Sequence, residues 1–154
     1  MPRSVVVNAG SSGYVQNISI GPHLLLADEP SDSGGNDAGP NPYELLLAAL
    51  GACTSITVRM YAGRRLWPLQ GMQVRLTFSR IHAADCAECD TKKGMVNRID
   101  IEISFQGDLS ENQRERLTEI ANNCPVHRTL ASETQIHTRL TEAIASLPAE
   151  APAE

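Results

Sequence analysis

The sequence predicts an α+β fold, and three observations carry that expectation. Short β-rich runs punctuated by Gly/Ser and Gly/Pro turns fill the N-terminal part. A long segment that is apolar on every side follows. Two alternating runs and an amphipathic segment then complete the set. At 154 residues the chain is long enough for one domain with a real core, expected over residues 1–141. Residues 142–154, rich in Ala, Pro and Glu, are expected to form a disordered tail.

Residues 5–7, 14–20 and 23–27 read as strands separated by Gly10-Ser11-Ser12-Gly13 and Gly21-Pro22, which makes a meander the natural arrangement. A polar Gly/Ser/Asp loop spans residues 28–39. The next helix start is well signalled. Asn41 suits the N-cap, Pro42 the first helical position, and Glu44 completes a capping box. This helix is expected to run to about Gly63, where glycine can supply the C-terminal turn. Its Leu/Ala stretch at residues 45–52 has no polar side, so it should be central and covered all round. Arg59, Arg64 and Arg65 are confined to its last turns, where they favour the helix dipole and mark emergence into solvent.

Residues 73–80 set Val74, Leu76 and Phe78 against polar neighbours, and residues 97–105 do the same with Ile99, Ile101, Ile103 and Phe105. The polar stretch 82–94 between them reads as a hairpin tip. Ser110 caps a second helix with Leu117, Ile120 and Ala121 as its apolar stripe. Cys124-Pro125 breaks that helix and starts a short one through Leu130, and residues 133–140 could pair as a last strand.

The core must be built mainly from Leu, Ile, Val and Ala, because aromatic content is only 4%. A net charge of −5 argues against nucleic acid or an anionic membrane as the main partner. No uninterrupted apolar stretch approaches the ~20 residues of a membrane span, and the N-terminus lacks the pattern of a signal peptide. Four cysteines in that setting fit a reducing cytoplasm, where disulfides are transient.

Two of those cysteines sit in patterned surroundings. Cys53 ends the run Gly39-Pro40-Asn41-Pro42-Tyr43-Glu44-Leu45-Leu46-Leu47-Ala48-Ala49-Leu50-Gly51-Ala52-Cys53, and Cys124 opens Cys124-Pro125-Val126-His127-Arg128-Thr129-Leu130. Taken alone, each could be a small buried hydrophobe. Together, in this order, the two runs resemble the OsmC/Ohr family of thiol-dependent peroxidases over about residues 4–140. Cys86-Ala87-Glu88-Cys89 resembles the OsmC-like branch found attached to α/β-hydrolase domains, although this chain holds no hydrolase domain.

The resemblance implies an OsmC-like fold with antiparallel sheets packed on a buried central helix, in an intertwined homodimer. It implies Cys53 as the thiol that attacks a hydroperoxide, organic ones included, and Cys124 as the resolving thiol. A dithiol reductant would restore the pair, and no cofactor is required. The chain departs from the Ohr branch in one respect. That branch carries a glutamate ten residues before the reactive cysteine, paired with an arginine from the N-terminal strands. Here the position is Tyr43; Glu44 lies nine residues before Cys53, on the opposite helix face, and Arg3 is the only arginine before Arg59. The Arg/Glu pair does not carry over. Arg128 and His127 are the local candidates for activating the thiols, with Glu44 and Tyr43 as further supporting positions.

Cys86 and Cys89 have the spacing of half a tetrahedral zinc site, to which His82 could add a ligand and to which His127 or His137 would have to arrive through folding. The same spacing suits a redox dithiol or a plain exposed loop. The expectation is an ordering cross-link, with metal preferred to a disulfide, although Lys92 and Lys93 nearby weaken a cation site. Two other functions stand beside the peroxidase: a module that binds an acyl or thiol-containing small molecule without turnover, and a metal-binding protein using the Cys86/Cys89 loop.

Overall fold

In the computed structural model, described over residues 4–87 and 89–142, the chain forms two compact units. One holds the N-terminal residues through Leu45 together with the stretch from Gln135, and the other is Leu46–Thr134. The tail expected at residues 142–154 falls almost wholly on residues 143–154, which lie outside the described residues.

In the first unit β1 (Val5–Ala9), β2 (Gln16–Ile20) and β3 (His23–Ala27) form the expected antiparallel meander. Its turns are set by register: Ala9 faces Gln16 across the Gly/Ser turn, and Ile20 faces His23 across Gly21-Pro22. The loop after β3 is not a loose connection. Asp28 is buried and its carboxylate accepts the backbone N–H groups of Glu29, Asn36 and Ala38. Burial pushes that carboxyl up, but the three N–H groups outweigh burial and hold its pKa below 3.8. The loop delivers the chain to Asn41, which forms the predicted capping box: Asn41 N–H donates to Glu44 Oε2 (2.8 Å) and Glu44 N–H to Asn41 Oδ1 (3.0 Å).

The second unit is organised around α1 (Pro42–Arg64). Leu50, Thr54, Val58 and Ala62 recur every fourth residue and form its buried line. The helix is not covered all round within one chain: Ala49, Ala52, Ile56 and Met60, on the opposite side, are exposed. It also ends differently from expectation. Gly63 stays helical, and the left-handed residue is Leu66 at φ 55°. Leu66 N–H bonds to Gly63 O and Trp67 N–H to Ala62 O, the hydrogen bonds of a Schellman turn. Among the described residues α1 is the one helix long and apolar enough to cross a bilayer, a length the sequence reading did not credit because Thr, Ser and Arg interrupt it. Val58 and Ala62 of its buried line pack in the protein core.

β4 (Gly71–His82) and β5 (Met95–Gln106) pair antiparallel along their whole length. The register places Met72 opposite Phe105, Val74 opposite Ile103, Leu76 opposite Ile101 and Phe78 opposite Ile99, so one face is apolar. Gly51 brings α1 close to this sheet: a Cβ there would lie 2.8 Å from Leu76 Cδ1. α2 (Glu111–Ala121) begins at Ser110 with a reciprocal capping box to Gln113. It lays Leu117 and Ala121 against Val58, Ala62, Leu69 and Leu109 in the core. Arg116 fastens the same two helices at the surface, donating to Tyr61 Oη at 3.2 Å with its guanidinium over the ring. α3 (Pro125–Leu130) follows. Residues 133–140 form no strand: they are exposed, with Ile136 at 85%, and belong to neither of the described sheets.

Candidate functional site

Cys53 and Cys124 are brought together by the elements just described. Thr54 belongs to the buried line of α1, so Cys53, one residue earlier, lies at the margin of that line and remains partly exposed. Cys124 follows α2 and serves as the N-cap of α3, in an extended conformation at φ −64° and ψ 151°. Pro125 occupies the first turn of α3, where its missing N–H costs nothing. A cysteine as N-cap does with sulfur what serine does with oxygen: Sγ accepts the backbone N–H of His127 at 3.3 Å. The Cys124 side chain has no exposure at all.

Thr54 Oγ1 lies 3.5 Å from Cys124 Sγ and donates its proton to Leu50 O at 2.9 Å. While Cys124 is a thiol, its S–H can therefore point at the Thr54 oxygen; once Cys124 ionises, the Thr54 hydroxyl can turn and donate to sulfur. Burial pushes the Cys124 pKa up, but the Thr54 hydroxyl, the His127 N–H, the Cys53 thiol and the Val126 N–H outweigh it. The net direction is down from 9.0. The arrangement is a buried sulfur prepared to carry negative charge, with a second and more accessible thiol close enough to lower its pKa. Such a pair can interconvert between dithiol and disulfide.

The other predicted residues take different places. His127 contributes through its backbone N–H, while its ring Nδ1 is buried without a partner among the described residues. Arg128 is exposed on α3. Glu44 is committed to the capping box, and Tyr43 lies exposed in the first turn of α1.

Cys86 and Cys89 are joined to each other as a disulfide, which reverses the order expected of a metal over a disulfide. With both sulfurs in that bond neither offers a thiolate, and His82, exposed at the end of β4, has no such partners to join. Among the described residues no group of three His, Cys, Asp or Glu side chains could hold a metal ion, so the residues as placed do not fit zinc.

Sequence reasoning gave no role to Thr54. The available signal was a hydroxyl at the same four-residue spacing as Leu50 and Val58 in an otherwise Ala/Leu helix. The backbone donors at Val126 and His127 carry no side-chain signature.

The family model for OsmC-like protein matches residues 34–139. No curated protein matches the chain. Solved structures that resemble it include an osmotic stress induced and detoxification response protein from Psychrobacter arcticus (18% identity, 83% of this chain and 86% of that one, TM-score 0.63). An OsmC-like protein from Mycoplasma pneumoniae has 21% identity, covers 84% and 85% of the two chains, and gives a TM-score of 0.62. An organic hydroperoxide resistance protein from Legionella pneumophila has 21% identity, covers 82% and 88%, and gives 0.60. At these identities the likeness is one of fold.

Proposed function

This chain belongs to the family of OsmC-like proteins, and on that premise we propose that it reduces hydroperoxides with the Cys53/Cys124 pair. The observation that carries the reading is the contrast within the pair: Cys53 is partly exposed, while Cys124, next to the following residue Thr54, is buried among donors. Exposure favours this division of roles. A peroxide can reach Cys53, whose thiolate attacks the outer oxygen; the O–O bond breaks, an alkoxide leaves as the alcohol, and Cys53 becomes a sulfenic acid. Cys124, already inclined to the thiolate, attacks that sulfur and expels water as the disulfide forms. A dithiol reductant then returns both thiols, a requirement that suits a reducing cytoplasm. No cofactor enters the cycle. The Legionella protein's description as an organic hydroperoxide resistance protein supports organic peroxides as substrates.

Purified protein mixed with cumene hydroperoxide and dithiothreitol tests the reading. Consumption well above that of a Cys53→Ser control is expected, and consumption equal to the control overturns it. A binding module without turnover is the second reading. It is favoured by the missing Arg/Glu pair, since Glu44 is committed to the capping box.

The working assembly is a homodimer. Ile56 and Met60, 60% and 52% exposed on one side of α1, are the apolar surface a second chain would cover. Light scattering at low micromolar concentration should give twice the chain mass, and a well-folded monomer there contradicts it.

A further inference from the structure

The tip of the β4–β5 hairpin carries a second two-sulfur unit that the peroxide cycle does not use. Cys86 and Cys89 are bonded there with Cα atoms 5.5 Å apart. The hairpin does not need the bond. Its register is complete from Gly71↔Gln106 to His82↔Met95, and Ala83 N–H donates to Gly94 O (2.8 Å) one step beyond. Cys86 N–H closes the short 3-10 turn on Ala83 O at 3.2 Å, and Ala83 is itself buried. A loop as short as this one removes little entropy from the unfolded chain when it is closed, so the bond is a poor staple. The tip is also open to a second molecule, since Ala87, Asp90 and Thr91 are exposed. Finally, the Lys92 ammonium donates to the Cys89 carbonyl at 2.7 Å, which holds a cation on that residue, with Lys93 adjoining. The cation is held at the Cys89 backbone, and positive charge on the cysteine's own residue favours its thiolate and makes it the better leaving group.

We propose that the Cys86–Cys89 disulfide is a thiol–disulfide exchange site that accepts electrons from dithiols, separate from Cys53 and Cys124. One thiolate of the dithiol attacks the Cys86 sulfur. The Cys86–Cys89 bond breaks, Cys89, whose carbonyl holds Lys92, leaves as the thiolate, and a mixed disulfide joins Cys86 to the reductant. The reductant's second thiolate then attacks its own sulfur in that bond and releases Cys86. Two electrons pass from the dithiol to the pair, the dithiol ends as a disulfide, and its two protons end on Cys86 and Cys89. The β4–β5 ladder stays paired in both states.

The test equilibrates the full chain, without oxygen, in graded ratios of reduced to oxidised dithiothreitol. Acid quenching, alkylation and peptide mass mapping then read each cysteine. The expected result is a two-electron transition in which Cys86 and Cys89 change together. It should be the same in the native chain and in a Cys53→Ser/Cys124→Ser variant, with circular dichroism and melting temperature alike in both states. A pair that stays oxidised, or stays reduced, at every ratio overturns the proposal. So does an opening that lowers the melting temperature, which would make the bond a structural staple. The direction of attack is read separately, by the rate of mixed-disulfide formation with oxidised dithiothreitol or glutathione. Cys89→Ser, which leaves Cys86 free, should react more slowly than Cys86→Ser, which leaves Cys89 beside its lysine, and the reverse order overturns the assignment of Cys89 as leaving group. Because the Cys53→Ser/Cys124→Ser variant has no peroxide chemistry, failure here and failure of the peroxidase reading are distinct results.

Discussion

Thr54→Val removes one hydroxyl and little volume, and it should change the charge state of a different residue. Thr54 Oγ1 stands 3.5 Å from Cys124 Sγ and lends its proton to Leu50 O. To stabilise the thiolate, the hydroxyl must give up that carbonyl and turn to sulfur. A hydrogen bond to a charged acceptor contributes about 1.5–3 kcal/mol, and the neutral bond surrendered costs about 0.5–1.5. The long sulfur contact puts the gain at its low end, and after the surrendered bond is subtracted the net effect is about 1 kcal/mol, or roughly fivefold in the thiol–thiolate equilibrium. The donors at His127 and Val126 remain, so the thiolate is weakened and not lost. The assay is thiolate absorbance at 240 nm against pH in a Cys53→Ser background, where Cys124 is the one free thiol. Thr54→Val should move the absorbance step to higher pH. Stability should follow with a definite sign. A thiol whose folded pKa lies below its unfolded value binds fewer protons when folded. Stability therefore rises with pH between the two values, is fully present above the unfolded one, and is lost as pH falls through the folded one. Thr54→Val should flatten that rise. An absorbance step left in place, or moved to lower pH, refutes the role given to Thr54.

Two further outcomes follow from the same geometry. Cys124→Ser should consume peroxide once and then accumulate over-oxidised Cys53, because its sulfenic acid has lost the resolving sulfur; intact-mass spectrometry showing the same products from Cys53→Ser would dissolve the role assignment. Leu66→Gly should stabilise the protein by about 1 kcal/mol, since a left-handed leucine is strained and 91% exposure leaves little packing to lose. A chain of this size should then melt about 2–4 °C higher, and an unchanged or lower melting temperature in a scanning calorimeter would show no strain at that turn.

Much of the fold was legible because local rules and tertiary packing agree. The alternations at Val74-Leu76-Phe78 and Ile99-Ile101-Ile103 became facing strands, and the Asn41/Glu44 box and the Ser110 cap started helices where their chemistry places them. The end of α1 was not legible, because Gly63 offers a glycine turn and the chain uses Leu66 instead, held there by the bonds to Ala62 and Gly63. Residues 133–140 alternate as a strand would, yet a strand exists only where a partner accepts its hydrogen bonds. At the site, the two cysteines could be read from their motifs. What tunes Cys124 could not, since the donors are two backbone N–H groups and a threonine seventy residues away in sequence. The Cys86/Cys89 spacing suits both metal and disulfide, the expectation leaned to metal, and the approach of the two sulfurs decides for the disulfide.

The central claim is that Cys53 and Cys124 act as one redox unit. Its most direct measurement treats the fully reduced protein with one equivalent of cumene hydroperoxide, alkylates what remains, and maps the peptides by mass. The account predicts a disulfide linking the Cys53 and Cys124 peptides, formed as the peroxide is consumed. Recovery of both peptides in alkylated form while peroxide disappears, or a link from either cysteine to Cys86 or Cys89 in its place, would contradict it.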